Sequence, residues 1–600
     1  MKTFPNAPDR SRDISQPLHK LSPDERLKAE SDHLRGTISQ SLIDRITGAV
    51  TESDTKLMKF HGMYQQDDRD LREERRRQKL EPAYQFMIRV RMPGGVCTPA
   101  QWLKLDELAR AHGNGSLRIT TRQTLQFHWV LKEALRDTLQ GLHEVLLDSI
   151  SACGDDARGV VCSVDPSMSA LHAQVYALAR QASDHAIPRM RAYHEIWYGE
   201  QRIAGGEPEE PFYGTTYLPR KFKIGFVIPP CNDIDVYAQD LGFIAIVESG
   251  RLTGFNVAIG GGMGQTDRVK ETWPGLAHVI GFVPVDRVIA TCDAVMGTQR
   301  DRGDRKNRAR ARFKYTIDDH GLDWIKAEIE RRLGFALEPA RAFEFTSNTD
   351  PLGWQEDETS LWHLTVRVPS GRLINRPDVR WLDALRALAR VHTGTIRLTT
   401  NQNLIVSQVA AAQRADIERL LHDHGVRLTE PASAMRRDAI TCVAFPTCAL
   451  AMAESERYMP TLLDRIEPML ARHGLSQDPI TLRISGCPNG CARPYISEIA
   501  LTGRAPGRYN LYLGGGFHGQ RLNRLYLENV DEAAILAALD EVLGHYARER
   551  EQGERFGDFT IRAGYVTAVR DGPDFNTPNQ RVAPTRPGTQ EHRHAEPAAG

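Results

Sequence analysis

Gly115–Val130 reads GSLRITTRQTLQFHWV, and Gly394–Val409 reads GTIRLTTNQNLIVSQV. The two stretches agree over R-x-T-T-x-Q, and each reads as a strand. Upstream, RVRMPGG at Arg89–Gly95 echoes RVPSG at Arg367–Gly371. Between these matching pieces each copy carries a helical period. Trp102, Leu105, Leu108 and Ala109 share one face in the first copy, and Trp381, Leu385, Leu388 and Ala389 do so in the second. Thr98 followed by Pro99 suits an N-cap and first helical residue. Each copy therefore predicts strand, helix, strand.

A second repeat accompanies the first. GFNVAIGGG at Gly254–Gly262 is echoed by RYNLYLGGG at Arg508–Gly516. The order A, B, A′, B′ spans the chain. A solenoid needs shorter and more numerous units, so the pattern indicates a duplication with a pseudo-twofold arrangement. Such an arrangement offers a cofactor site where the halves meet.

The chain has 600 residues, with 77 basic and 77 acidic side chains and nine cysteines. At roughly 100–200 residues per domain, this length implies several domains. Zero formal net charge argues against a dedicated nucleic-acid binder. An odd, sparse cysteine set argues against a disulfide scaffold. No stretch reaches about 18 uninterrupted apolar residues, so no membrane span is expected. The polar start, Met1–Lys20, lacks the apolar core of a signal peptide. The expected address is the cytoplasm. Asn576–Gly600, with four prolines and little apolar content, reads as a flexible tail.

Five cysteines (Cys97, Cys153, Cys162, Cys231 and Cys292) are scattered and read as small buried side chains. The other four cluster. TCVAFPTC places Cys442 and Cys448 six apart; SGCPNGC places Cys487 and Cys491 four apart, in a loop of Gly, Pro and Asn. A structural zinc site prefers closer pairs, and a redox disulfide prefers C-x-x-C. An iron–sulfur cube needs four thiolates converging from loops with exposed amides, which this loop chemistry supplies. Spacing alone leaves all three open.

The cysteine pattern, embedded in CPNGC, resembles that of the siroheme-dependent sulfite and nitrite reductases. So do FHGMYQQDDRD at Phe60–Asp70, RMPGGV at Arg91–Val96, LRITTRQTLQFH at Leu117–His128 and YLPRKFK at Tyr217–Lys223. FPTCALAMAE at Phe445–Glu454, APGRYNLYLGGG at Ala505–Gly516 and FGDFTIRAG at Phe556–Gly564 extend the likeness. It covers about residues 20–570 and is nearest to the haemoprotein (beta) subunits of the assimilatory, NADPH-linked branch.

The resemblance implies an α+β fold of three domains, with the pseudo-twofold duplication built around a siroheme–iron–sulfur junction. Residues 1–80 would form a partly flexible extension. Residues 81–150 plus 353–427 would form the duplicated, ferredoxin-like half-domain pair. Residues 151–352 would form a first siroheme and substrate domain, 428–572 the domain carrying the cysteines, and 573–600 a disordered tail. Cys442, Cys448, Cys487 and Cys491 would hold one 4Fe–4S cluster, with Cys491 also the axial ligand of one siroheme. Arg118, Thr120, Arg122, Gln126, Gly261, Gly262, Gln402 and Asn489 would contact the cofactor. Arg91, Arg158, Lys221 and Lys223 would bind sulfite and supply protons for its six-electron reduction to sulfide. On a strand, the two lysines of K-F-K point to one face. Arg122 and Gln126 become Asn401 and Ile405 in the second copy, while Arg118 is matched by Arg397; this asymmetry fits one working and one retired site. The basic run Arg300–Lys314 is expected near the cofactor without a named contact.

The partner implied is a separate NADPH-dependent flavoprotein (alpha) subunit in a hetero-oligomer, which alone would carry NADPH and flavins. Neither nucleic acid nor membrane is expected as a partner. A ferredoxin-dependent sulfite or nitrite reductase is the alternative. G-x-G-x-x-G at Gly514–Gly519 is a weak dinucleotide signature. A zinc site with a nucleic-acid patch at Arg300–Lys314 is a third reading.

Overall fold

The computed structural model describes residues 17–189, 196–198, 201–204, 210–428 and 432–579. The expected flexible start up to residue 16 and the tail beyond residue 579 lie outside these.

The duplicated stretches build two five-stranded sheets. One runs Met63–Asp67, Tyr84–Arg89, Leu125–Val130, Ser116–Ile119 and Arg372–Ile374. The other runs Gly353–Glu356, Trp362–Val366, Leu404–Val409, Thr395–Leu398 and Val96–Cys97. The last strand of each sheet is contributed by the other copy: Leu373 pairs with Leu117, and Cys97 pairs with Ile396. The two copies thus exchange edge strands and form one unit. Their helices, Pro99–Ala111 and Trp381–Val391, pack together. Arg110 bonds Asp383 across that contact at 2.7 Å, and Arg386 bonds Asp106. Thr98 caps the first helix reciprocally with Gln101, and Pro99 opens it. Trp102, Leu105, Leu108, Trp381, Leu385 and Leu388 share one core with the inward side chains of both sheets.

The remaining sheets also repeat one plan. Val161–Cys162, Ile224–Val227 and Leu241–Glu248 run parallel, followed by antiparallel Arg251–Ile259 and His278–Pro284. Ile440–Thr441, Leu482–Ser485 and Ile499–Ala505 run parallel, followed by antiparallel Arg508–Leu513 and Arg524–Val530. The echoing GGG motifs follow the fourth strand in each.

Two expected boundaries change, and the weak glycine signature fails as its sequence context implies. The first sheet begins at Met63, inside the segment read as an extension, because Met63–Asp67 pairs with Tyr84–Ile88. The ordered body continues past residue 572: Phe575 is buried against Tyr495 and Tyr512, and Asp574 accepts from Arg524 at 2.7 Å. The glycine motif at Gly514–Gly519 leads to strand Arg524–Val530 rather than to a helix, so it does not build a dinucleotide cradle. No helix among the described residues is long and apolar enough to cross a membrane.

Candidate functional site

Strand alternation produces the site's first wall. In the first sheet Phe86, Ile88, Leu117, Ile119, Leu125 and Phe127 face the core. Their neighbours Met87, Arg89, Arg118, Thr120, Gln126 and His128 face a cavity of ≈ 420 Å³. Arg89, Gln126 and Arg118 lie in one row across three strands. Tyr64, opposite Met87, and Gln66, opposite Gln85, extend the same face onto the first strand.

The second wall carries the thiols. Strands Ile440–Thr441 and Leu482–Ser485 are parallel neighbours. Their following loops therefore leave the sheet at the same end, which brings C-x5-C and C-x3-C together. Cys442, Cys448, Cys487 and Cys491 all line the cavity. Gly486 N–H donates to Cys442 Sγ at 3.2 Å. Thr121 Oγ1 donates to the Cys491 carbonyl at 3.0 Å, tying this loop to the first wall. Arg69 holds the Cys448 loop by donating to the carbonyls of Cys448, Ala449 and Ala451. Among the described residues no three Cys, His, Asp or Glu converge on a position for a single metal ion. Four thiols spread around one wall fit the corners of a cube better than a lone zinc. Burial holds the Cys442, Cys448 and Cys487 thiols above their ordinary pKa, reinforced by neighbouring cysteines. A bound metal centre is what would draw those protons off.

The third wall is cationic. Arg158, Arg220, Lys221, Lys223, Arg308 and Arg312 line it, and Phe222 between the two lysines points into the core. The alternation expected of K-F-K holds. Among the described residues, thirteen lysines and arginines face the cavity against two carboxylates, Asp24 and Asp155. Burial and neighbouring Arg158 and Arg312 hold the Lys221 ammonium well below its usual pKa. Burial and Arg312 do the same to Lys223. Arg122 is pushed down to about 9 by burial, Arg158 and Arg493. The Nε groups of Arg89, Arg122, Arg158 and Arg312 and both His128 nitrogens have no hydrogen-bond partner among the described residues. A buried cationic surface with unused donors fits a polycarboxylate macrocycle together with an oxyanion.

Most expected contacts meet here: Arg118, Thr120, Arg122, Gln126, Asn489, Arg158, Lys221, Lys223 and the four cysteines. Arg118 is also paired with Glu456 at 2.8 Å, so part of its charge is already met. Four expectations are corrected. Arg91 lies outside the cavity. It donates to the carbonyls of Ser151, Ala157 and Ser183 and to Ser183 Oγ, because the strand ends at Arg89 and the chain turns away. Arg89 takes the cavity position. Gln402 bonds Thr441 and Ile119 main-chain groups instead of facing the cavity. Gly261 and Gly262 stand one layer back, with Gly261 N–H on the Gln239 carbonyl and Gly262 N–H on the Gly275 carbonyl. Their successors Met263 and Gly264 reach the cavity.

Sequence reading missed several lining groups. His128 shares strand parity with Gln126, a signal that was available. Arg308 and Arg312 lie in the basic run. Lys28, Lys56 and Lys59 come from the N-terminal segment, whose helices Pro23–Glu30 and Glu52–Leu57 border the cavity. This segment is latched at Asp155. Burial alone would raise the Asp155 pKa, but Arg308, Lys28 and Arg220 hold it well below the usual carboxylate range. Arg308 bonds it at 2.7 Å, and Arg305 pairs with Glu25 nearby.

Comparison with known proteins gives a consistent answer. The family model described as nitrite and sulphite reductase 4Fe-4S domain matches residues 179–337 and 432–570. The nitrite/sulfite reductase ferredoxin-like half domain matches residues 77–145 and 355–424. The chain is 66% identical to the sulfite reductase (NADPH) hemoprotein beta-component of Methylocella silvestris over 570 residues, covering 95% of this chain and 99% of that protein. It is 68% identical to the same component of Bordetella petrii over 583 residues, covering 97% and 99%. The solved structure of the Mycobacterium tuberculosis NirA protein aligns with a TM-score of 0.74 at 25% identity, covering 92% of this chain and 97% of that one.

Proposed function

The chain belongs to the nitrite and sulphite reductase family, and from that premise we propose that it is a sulfite reductase haemoprotein that carries sulfite through six electrons to sulfide. The observation that carries this reading is the meeting of four thiols and thirteen cationic side chains in one cavity. Its cofactors are siroheme and a 4Fe–4S cluster, which when bound supply electron storage and single-electron delivery.

Cys442, Cys448, Cys487 and Cys491 would hold the cluster, and Cys491, the exposed member of the quartet, would also serve the siroheme iron. Arg118, Arg122 and Gln126 would meet the macrocycle's carboxylates. Arg89 and Arg158 would bind the oxyanion: both guanidiniums face the cavity with donors to spare, and guanidinium pairs well with oxyanion geometry. Lys221 and Lys223 would release protons. Reduction removes three oxygens as water, so protons must arrive at the substrate. An ammonium whose proton affinity is depressed by burial and neighbouring cations gives its proton up more readily.

As a beta-component, the protein works with an alpha partner, which we assign as an NADPH-dependent flavoprotein docking in the cytoplasm. The test is the purified holoprotein assayed with that flavoprotein plus NADPH, and separately with reduced ferredoxin. Sulfide formation with the flavoprotein, together with a Soret band, iron and acid-labile sulfide, is expected. Turnover with ferredoxin alone removes the flavoprotein assignment, and a colourless, zinc-bearing protein removes the reductase reading.

A further inference from the structure

The second half-sheet repeats the cavity wall, but its face is covered. The positions matching Arg89, Gln126 and Arg118 are Thr365, Ile405 and Arg397, again in one row across three strands. Helix Ser169–His185 lies over this face. Ser169 Oγ sits 3.2 Å from His363 Nε2, and His172 stacks on Tyr176 at 5.7 Å between centroids. Tyr176 also closes on Gly94, where a Cβ would fall 2.7 Å from its ring.

The covered face is polar and unsatisfied. Arg397 is 6% exposed, yet its Nε and Nη1 have no partner among the described residues. The same holds for His172 Nε2, Thr365 Oγ1 and Ser407 Oγ. Asp357, the one carboxylate among the described residues that acts on Arg397, is already saturated. Its Oδ1 accepts from Thr359 and Leu361, and its Oδ2 accepts from His363. Cys162, also beside Arg397, is held as a neutral thiol by burial. His172 is pushed down to about 3 by burial, Arg397 and His363, so it is a neutral imidazole at any working pH. A desolvated guanidinium whose nearby carboxylate is engaged by other donors is costly unless an anion or its equivalent satisfies it.

We infer that this second face holds one small inorganic anion of halide class, gripped by Arg397 and His172, with the Thr365 and Ser407 hydroxyls on the same face. The anion fastens helix Ser169–His185 to the second half and takes no part in turnover. The inference does not depend on the reductase reading.

The test uses crystals of the holoprotein soaked in potassium bromide, with anomalous scattering, and thermal unfolding in potassium bromide against potassium gluconate at equal ionic strength. A bromide within hydrogen-bond distance of the Arg397 guanidinium is expected, with unfolding roughly 2 °C higher in bromide than in gluconate. Arg397→Met is expected to lose both. If that variant does not fold, His172→Phe carries the same comparison, since it keeps a ring against Tyr176. Water at Arg397 without bromide overturns the inference. So does a bromide peak or thermal benefit of equal size in the variant, the result for an adventitious ion only.

Discussion

Gln123 and Gln402 occupy equivalent turns of the two copies, and each reaches across the pseudo-twofold axis. Gln123 Nε2 donates to the Leu398 carbonyl at 3.2 Å, and Gln402 Nε2 to the Ile119 carbonyl at 3.5 Å. Each amide also clamps the edge strand of a neighbouring sheet. Gln123 bonds Cys162 N–H and C=O, and Gln402 bonds Thr441 N–H and C=O. Both residues sit at positive φ, 50° and 72°, where the turn directs the amide inward.

Gln402→Ala is therefore expected to destabilise the protein by about 1–3 kcal/mol, the cost of leaving buried main-chain groups unpaired. The siroheme spectrum of the folded variant should match wild type. Denaturant unfolding and the Soret band check both halves of this. A shifted Soret band would return Gln402 to the cofactor.

Arg89→Ala and Arg91→Ala should separate cleanly. Arg89 faces the cavity, so its loss is expected to cut sulfite turnover at least ~10²-fold with normal thermal stability. Arg91 is buried on three carbonyls and Ser183, so its loss should lower stability by several kcal/mol. Steady-state kinetics beside thermal unfolding decides the assignment.

Lys223 must be protonated to act as a donor, and its folded pKa is depressed by burial and Arg312. Turnover should fall as pH rises through that lowered pKa. Lys223→Arg keeps the positive charge but binds its proton too tightly to release it. Its turnover should drop ~10²-fold or more and lose the alkaline limb, with the holoprotein spectrum retained. A pH–rate profile with methyl viologen as reductant checks this.

Asp155→Asn should cost about 3–5 kcal/mol at pH 7, because three cations lose their buried counter-charge. The wild-type carboxylate has a folded pKa below its unfolded one. Its contribution is thus present above the unfolded value, about 3.9, and is lost as pH falls through the acid range. The gap between wild type and variant should narrow below about pH 4, as read by denaturant unfolding across pH.

Cys491→Ser should abolish both the Soret band and the acid-labile sulfide of the purified protein. Loss of the cluster alone would mean Cys491 does not serve the siroheme iron.

The duplication and the cysteine quartet were legible because each is written as a local pattern. Repeated R-x-T-T-x-Q identifies two like strands, and parallel neighbours explain why distant thiols meet. The exchange of Val96–Cys97 and Arg372–Ile374 was not legible, since an edge strand's partner is chosen by tertiary contact. The motif points to Arg91 because it identifies a segment, while the strand's last residue, Arg89, is the one that faces the cavity. Gly261 and Gly262 were displaced by two residues for a similar reason: the turn's hydrogen bonds hold them behind Met263. Lys28, Lys56 and Lys59 carried no motif, and only the fold brings them to the rim.

The exchanged strands leave each half unfinished alone. A single half holds both a strand to give away and a gap that only such a strand can fill, the self-complementarity of an isologous dimer. Joining two halves in one chain freed each copy to diverge at Arg122 and Asn401, or at Gln126 and Ile405, which an identical pair could not do. The interlock also means that a break between the copies would yield fragments that complete their sheets only in each other's presence.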